Sequence, residues 1–490
     1  MNEEELNFKT DLIIPEKFYK ECLSADYNIN DMNKIKEHLD DSDSLIKLKG
    51  LVGLRKILKI EEAKEEPALI YNDINKLFNL LENYPTEFKS ECLTCLSCIE
   101  EYNIKVENKI KNEPTDKIIN IILYILEYPK KFNLELIHAN LKYISLLVNN
   151  NEITKKFGIE KLYKTIKNLI ENVYPSDITI ISICLTILSK IIENNKKTPE
   201  NENIYIESIP LSNEMLNKFE SNKDIAITSL HILYFITNDV DKMPLLSKKI
   251  LDKILEIHLL DKIISKIDKL DVEDEKLEIL YSSRIIGNFA AMEDSFYTDK
   301  VIELNVLDKL KILIQDKYSP STRKEIAWII SNIAAGTQEQ LNTLYENNFP
   351  DILFDMILNG EEGDIKNHCL WALYNFSNLN NQEYLNSLVE SGFLDIIIKR
   401  LNIDSGDTLC CSMEALFNIL SKRKNVDPAN FNIIESKIEE LNILNELKNF
   451  LNNNNHMKKI CRDKAKTILN KCFAIENVDQ FLKESQAEIK

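Results

Sequence analysis

Along the whole chain, apolar residues recur at steps of three and four, as in ILFDMIL (352–358) and LDIIIKRL (394–401). This spacing lines one face of an α-helix with hydrophobic side chains. Short breaks carrying Asn, Gly, Asp or Pro separate the apolar runs. No stretch alternates apolar and polar residues in the manner of a strand, so the pattern predicts an all-helical chain.

The helical runs also repeat. SSRIIGNFAA (282–291), AWIISNIAAG (327–336), LWALYNFSNL (370–379) and MEALFNILSK (413–422) share one frame, and they place Asn288, Asn332, Asn375 and Asn418 at equivalent positions. The frame continues backwards, less strictly, through SECLTCLSCI (90–99), LIHANLKYIS (136–145), ICLTILSKII (183–192) and TSLHILYFIT (228–237). The longer step between the last of these and Arg284 leaves room for an insertion around residues 240–275. LVGLRKIL (51–58) fits a first partial unit, and residues 443–473 fit a last one. A period of about 40–47 residues holding two or three helices is that of armadillo and HEAT repeats. The expected fold is therefore all-α, an armadillo-repeat right-handed superhelical solenoid of about ten repeats with a long concave groove. The expected organisation is an acidic arm or cap (1–45), degenerate repeats (46–280), well-matched repeats ending in a terminal repeat (281–475), and a tail (476–490).

The chain contains 2 tryptophans, and both stand in this frame four residues before an asparagine, as Trp328–Asn332 and Trp371–Asn375. Residues i and i+4 share a helix face. Stacked repeats then turn the two pairs into a ladder. An Asn amide can both donate to and accept from a peptide backbone. Indole faces take the methylene stem of Lys or Arg and attract its charged head. Glu293, Asp294 and Glu325 are candidate rim carboxylates for such heads. A single helical Trp is ordinarily core; two pairs at the repeat period point to a grip for an extended basic peptide.

Composition agrees with this picture and narrows it. The chain of 490 residues is 44% hydrophobic, enough to build a core, and carries a formal net charge of -18. That field disfavours nucleic acid and anionic lipid and favours basic partners. No apolar run is long enough to span a membrane, and MNEEELNFKT lacks the pattern of a signal peptide. The 10 cysteines then read as reduced intracellular thiols. Cys92, Cys95 and Cys98 have a cluster-like spacing but lie in an apolar helical run without a fourth ligand nearby, and read as core. No phosphate-binding glycine loop, nucleophile elbow or metal-ligand histidine pair occurs. The sequence suggests no enzyme, metal or cofactor.

KEIAWIISNIAAGTQEQLNTLYENNFPDILFDMI (324–357) and NHCLWALYNFSNLNNQEYLNSLVESGFLDIIIKRLN (367–402) resemble consecutive repeats of importin-α, the adaptor that recognises basic nuclear localisation signals. SSRIIGNFAAMED (282–294) resembles the unit in which that family replaces the ladder Trp by Arg, and residues 438–473 resemble its last repeat. The resemblance is strong over 280–475 and weaker over 45–280. It implies nuclear import, a location in cytoplasm and nucleus, and a secondary peptide groove built from Arg284, Asn288, Asp294, Glu325, Trp328, Asn332, Trp371 and Asn375. It also implies an export receptor at the terminal repeat and importin-β at a basic N-terminal arm.

Three departures stand out. His368 replaces a carboxylate three residues before the second Trp. The primary-groove positions, Thr94, Ala139, Thr186 and His231 with Cys98, Tyr143 and Lys190, lack Trp and Asn. Residues 1–45 hold 12 Asp or Glu, 5 Lys and no Arg, which removes the basic arm. A scaffold that keeps the solenoid for an unrelated partner is the alternative reading.

Overall fold

The computed structural model describes residues 12, 14–60, 74–106, 113–195, 197–238, 242–267, 276–358, 363–401, 406–422, 433–453 and 459–487. Among these residues every regular element is helical. The chain divides into two units, residues 1–236 and 237–490.

Unit 1 begins with α1 (Glu16–Ser24) and α2 (Met32–Asp40), both inside the expected arm. It continues through α3 (Ser44–Leu58), α4 (Ile74–Asn83), α5 (Thr86–Val106), α6 (Asp116–Glu127), α7 (Leu134–Leu147), α8 (Asn151–Phe157), α9 (Ile159–Asn168), α10 (Ile178–Asn194), α11 (Glu202–Lys218) and α12 (Lys223–Thr237). Helices α3, α5, α7 and α10 pack side by side in sequence. The buried face of α10 is almost wholly aliphatic, with Ile180, Ile181, Cys184, Leu185, Leu188 and Ile191 at 0% exposure. Residues 1–11 of the arm lie outside the described residues.

The start of unit 1 is pinned by a buried polar network. Tyr19 of α1 donates to Glu91 Oε1 at 2.8 Å, while Arg55 of α3 pairs with Glu91 Oε2. Glu91 is 1% exposed, so its charge depends on both partners. Lys56 donates to the Leu23 and Ala25 carbonyls at the end of α1, where a cation complements the helix dipole. Tyr19→Phe strips one donor from a buried carboxylate. The expected cost is about 1–2 kcal/mol, read as an earlier denaturation midpoint than wild type.

Unit 2 is built of three-helix repeats. They are α13 (Pro244–Glu256), α14 (Leu259–Lys266) and α15 (Lys276–Ala290); α16 (Ser295–Glu303), α17 (Val306–Leu313) and α18 (Pro320–Ala334); α19 (Gln338–Glu346), α20 (Phe349–Leu358) and α21 (Gly363–Asn375); α22 (Gln382–Glu390), α23 (Phe393–Arg400) and α24 (Gly406–Lys422); α25 (Ile433–Glu440), α26 (Ile443–Asn453) and α27 (Lys459–Phe473). A last helix, α28 (Val478–Ala487), follows within the expected tail. The third helices α15, α18, α21, α24 and α27 stack one on the next. The longer step around 240–275 holds α13 and α14, the first two helices of the repeat as in the units that follow; residues 268–275, on which part of the expected insertion falls, lie outside the described residues.

Candidate functional site

Local sequence sets the site helices. Ser319 caps α18 by accepting from Thr322 N–H, and Pro320 occupies its first turn, where its missing N–H costs nothing. At the other end, AAGTQEQ stops α18 and starts α19. Thr337 accepts from Gln340 N–H while Gln340 Oε1 accepts from Thr337 N–H, a reciprocal capping box. Gly336 makes this possible, because a Cβ there would stand 1.9 Å from Gln340 Oε1. Gln340 Nε2 then donates to the Ser295 carbonyl and to Asp299, which ties α19 back to α16.

Stacking of α15, α18 and α21 brings most of the expected site residues together. Trp328 is half-buried. The Arg284 guanidinium lies 4.7 Å from the centroid of its ring. The same arginine places Nε 3.0 Å from Oε2 of Glu325. Trp328 is seated on α15 at Gly287, where a Cβ would come within 2.2 Å of Cζ3. Trp371 is also half-buried, with His368 edge-on at 5.1 Å between centroids. Asp294 is exposed at the start of α16 and accepts from Phe296 N–H at 3.1 Å. Glu293 is exposed beside it.

The ladder amides behave differently from one another. Asn288 is 3% exposed and its Nδ2 donates to Thr237 Oγ1 at 2.9 Å. Asn418 donates to Ser377 Oγ at 3.1 Å and to Asn378 Oδ1 at 2.8 Å. Asn375 reaches the Ser331 carbonyl only at 3.5 Å. Asn375 and Asn418 each tie one repeat of unit 2 to the preceding one. Asn332 does not: its Nδ2 is buried and donates to nothing in the protein. The residue two beyond the ladder Asn explains the contrast. Asn418 finds Ser377 there; the residue two beyond Asn288, on the helix below Asn332, is Ala290.

Asn332 lines a cleft of about 440 Å³ together with Ala290, Ala291, Glu293, Gly336 and Gln340. Small side chains leave the room. The C-terminal ends of α15 and α18 add carbonyl oxygens, the first turns of α16 and α19 line the same cleft through Ser295, Thr298 and Gln340 with the opposite partial charge, and Glu293 adds a full negative charge. Trp371 Nε1 and His368 Nδ1 are likewise buried without hydrogen-bond partners. Burial lowers the His368 pKa, with Lys324 and Arg284 adding to the effect against Asp364, so the ring is neutral near pH 7. A neutral imidazole at this position supplies neither an anion nor a cation.

Glu325 carries a raised pKa. Burial is the main cause, and Arg284 and then Lys324 oppose it. A carboxyl whose folded pKa lies above its unfolded value of about 4.5 favours the fold below that value, and this contribution is lost as pH rises through the folded pKa. Arg284→Ala removes the main opposing charge. It should destabilise unit 2 by about 2 kcal/mol at pH 8 and much less at pH 5; equal losses at both pH values in denaturant titrations would rule out the ion pair as the cause.

In unit 1 the equivalent face lacks such groups. Thr94 and Thr186 return their hydroxyls to Ser90 and Ser182 carbonyls within their own helices. On α7 the expected positions Ala139 and Tyr143 are buried, at 8% and 3% exposure. His138 and Lys142, one residue earlier, are the more exposed pair, and Lys142 is 2.8 Å from Glu101. Sequence reasoning was thus one residue out of register on α7, where no Trp or Asn marked the frame. It also missed Gly287, whose signal was a glycine inside a helical run, a position that costs about 1 kcal/mol unless close approach requires it.

No family model matches the chain. A curated relative, "Probable importin subunit alpha-A" of Dictyostelium discoideum, is 30% identical over 112 residues, covering 22% of this chain and 20% of that protein. The alignment thus spans about a fifth of that relative's length. Among solved structures, an engineered protein aligns with a TM-score of 0.66 at 14% identity, covering 91% of this chain and 99% of its own. A designed armadillo repeat protein in complex with the peptide (KR)4 aligns at 22% identity over 54% of this chain and 98% of its own, with a TM-score of 0.43. The chain is an all-α protein of armadillo-type repeats. Among the described residues, no helix is long and apolar enough to cross a membrane.

Proposed function

We propose that this protein is an adaptor of the importin-α kind, which holds a basic, extended peptide on the third-helix face of α15, α18 and α21. The observation that carries this reading is Asn332, a ladder amide that lines an open cleft, stands one helical turn from the half-exposed Trp328 and makes no hydrogen bond through Nδ2. Turning of that amide toward the cleft lets a peptide carbonyl accept from it. A lysine reaching into the cleft meets Glu293 and the carbonyl ends of two helices. Asn375, which makes only one long hydrogen bond, joins as a second clamp, and Trp371 supplies the second slot. Asn288 and Arg284 act chiefly by fixing the ladder, since both are engaged within the protein.

The partial likeness to an importin-α supports the transport role, with basic cargo carried between cytoplasm and nucleus and an export receptor at α25–α27. The acidic residues of 1–45 speak against an importin-β contact through a basic arm. They also support the second reading, a non-transport scaffold, as do the Thr, Cys and Lys side chains at the ladder positions of unit 1. Fluorescence anisotropy with a Lys/Arg-rich nuclear-signal peptide and an Asp/Glu-rich peptide of equal length tests the proposal. The basic peptide should bind in the micromolar range, about -8 kcal/mol, and weaken as salt rises. No binding at low salt overturns the adaptor reading.

A further inference from the structure

We infer that Cys410 and Cys461 form a peroxide-oxidisable thiol pair that clips the last repeat of unit 2 to its neighbour. The two sulfurs lie 2.7 Å apart across the contact between α24 and α27, 51 positions apart in sequence. Neither is in a disulfide.

The approach is set by a whole seam. Eleven residues further along both helices, Ser421 Oγ meets Cys472 Sγ at 3.9 Å, again 51 positions apart. Between these ends Lys464 pairs with Glu414 at 2.5 Å and lies 4.3 Å from the Phe417 ring centroid. The two helices therefore run parallel in one register, held by an ion pair and a cation–π contact. That register, fixed also at Lys464 and at Ser421–Cys472, brings the two sulfurs together.

The pair differs from Cys92, Cys95 and Cys184, which are 0% exposed; burial raises the thiol pKa of these three, which keeps them unreactive. Cys410 is half-exposed while Cys461 is 1% exposed. An oxidant thus reaches Cys410 first, and Cys461 waits behind it as the resolving thiol. The Cys410 thiolate attacks hydrogen peroxide, breaks the O–O bond and becomes a sulfenic acid, releasing hydroxide. Cys461 then loses its proton and attacks that sulfur; the S–S bond forms and water leaves. In sum, two thiols and one peroxide give a disulfide and two waters. A dithiol reductant reverses the step by exchange.

The full chain is treated with hydrogen peroxide, alkylated, digested without reduction and mapped by mass spectrometry. The expected result is a linked Cys410–Cys461 peptide, with Cys92, Cys95 and Cys184 still alkylatable after denaturation, and full reversal by dithiothreitol. Peroxide that leaves both cysteines alkylatable, or that joins Cys410 to Cys411, overturns the inference. A Cys461→Ser variant gives a second readout. Dimedone should label Cys410 at least fivefold more in that variant than in wild type; equal labelling would show that Cys461 does not resolve the sulfenic acid.

Discussion

A Trp328→Ala/Trp371→Ala variant should lose basic-peptide binding by about thirtyfold to a thousandfold while keeping its helical circular dichroism. Each indole offers a slot for a cationic side chain worth about 1–2 kcal/mol when partly desolvated, and aromatic anchors at the centre of an interface commonly dominate affinity. Two such losses correspond to one to three decades in Kd. The fold should tolerate the change, because both rings are half-exposed and neither lies among the fully buried side chains. The single variants separate the rungs. Trp328→Ala also exposes Arg284 and its partner Glu325, so it should move the salt dependence as well as the affinity. Trp371→Ala should move affinity alone. Unchanged affinity in the double variant would place the peptide elsewhere and end the ladder reading, whatever the wild type binds.

The second large effect is expected at Gly287. In an ordinary helix interior, Gly→Ala stabilises by about 1 kcal/mol. Here the added Cβ would sit 2.2 Å from Cζ3 and 2.6 Å from Cε3 of Trp328, and 3.2 Å from Ile329 Cγ1. A rigid ring cannot give way as a flexible chain end does. The sign should therefore invert, with unit 2 losing about 1–3 kcal/mol to overpacking, and Trp328 should leave its place under Arg284. Because the chain holds only 2 tryptophans, a Trp371→Phe background isolates the emission of Trp328. Gly287→Ala in that background should shift this emission to the red and weaken peptide binding together. A stabilised protein with unchanged emission would show that the ring does not rest on that glycine.

Much of the fold was legible because apolar spacing and the Asn frame are strong, local signals. The helices of unit 2 follow the period set by Asn288, Asn332, Asn375 and Asn418. Register was lost on α7, where nothing but aliphatic pattern guided it and His138 and Ala139 fit a helix face almost equally well. The step from residue 237 to 282 exceeds the period of the later repeats although it holds the same two helices, α13 and α14. At the site, sequence brought the right residues to one face but could not assign their tasks. Asn288 and Asn332 look alike in sequence. Their difference arises on neighbouring turns, where Thr237 offers Asn288 an acceptor and the residue two beyond Asn288, Ala290, offers Asn332 none. Such a difference belongs to pairs of repeats, and no single repeat carries it.

The stacking of third helices has a further consequence for how unit 2 comes apart. Each repeat is held mainly by its two neighbours, so stability behaves as a sum of nearest-neighbour terms and not as one indivisible quantity. Amide protons of α18 and α21, each of which has a third helix packed on either side, should exchange late. A ligand lying across Trp328 and Trp371 would bridge two repeats and make them open as one. Occupancy of the site would then be visible as a plateau in the exchange gradient along the chain, far from any residue the ligand touches.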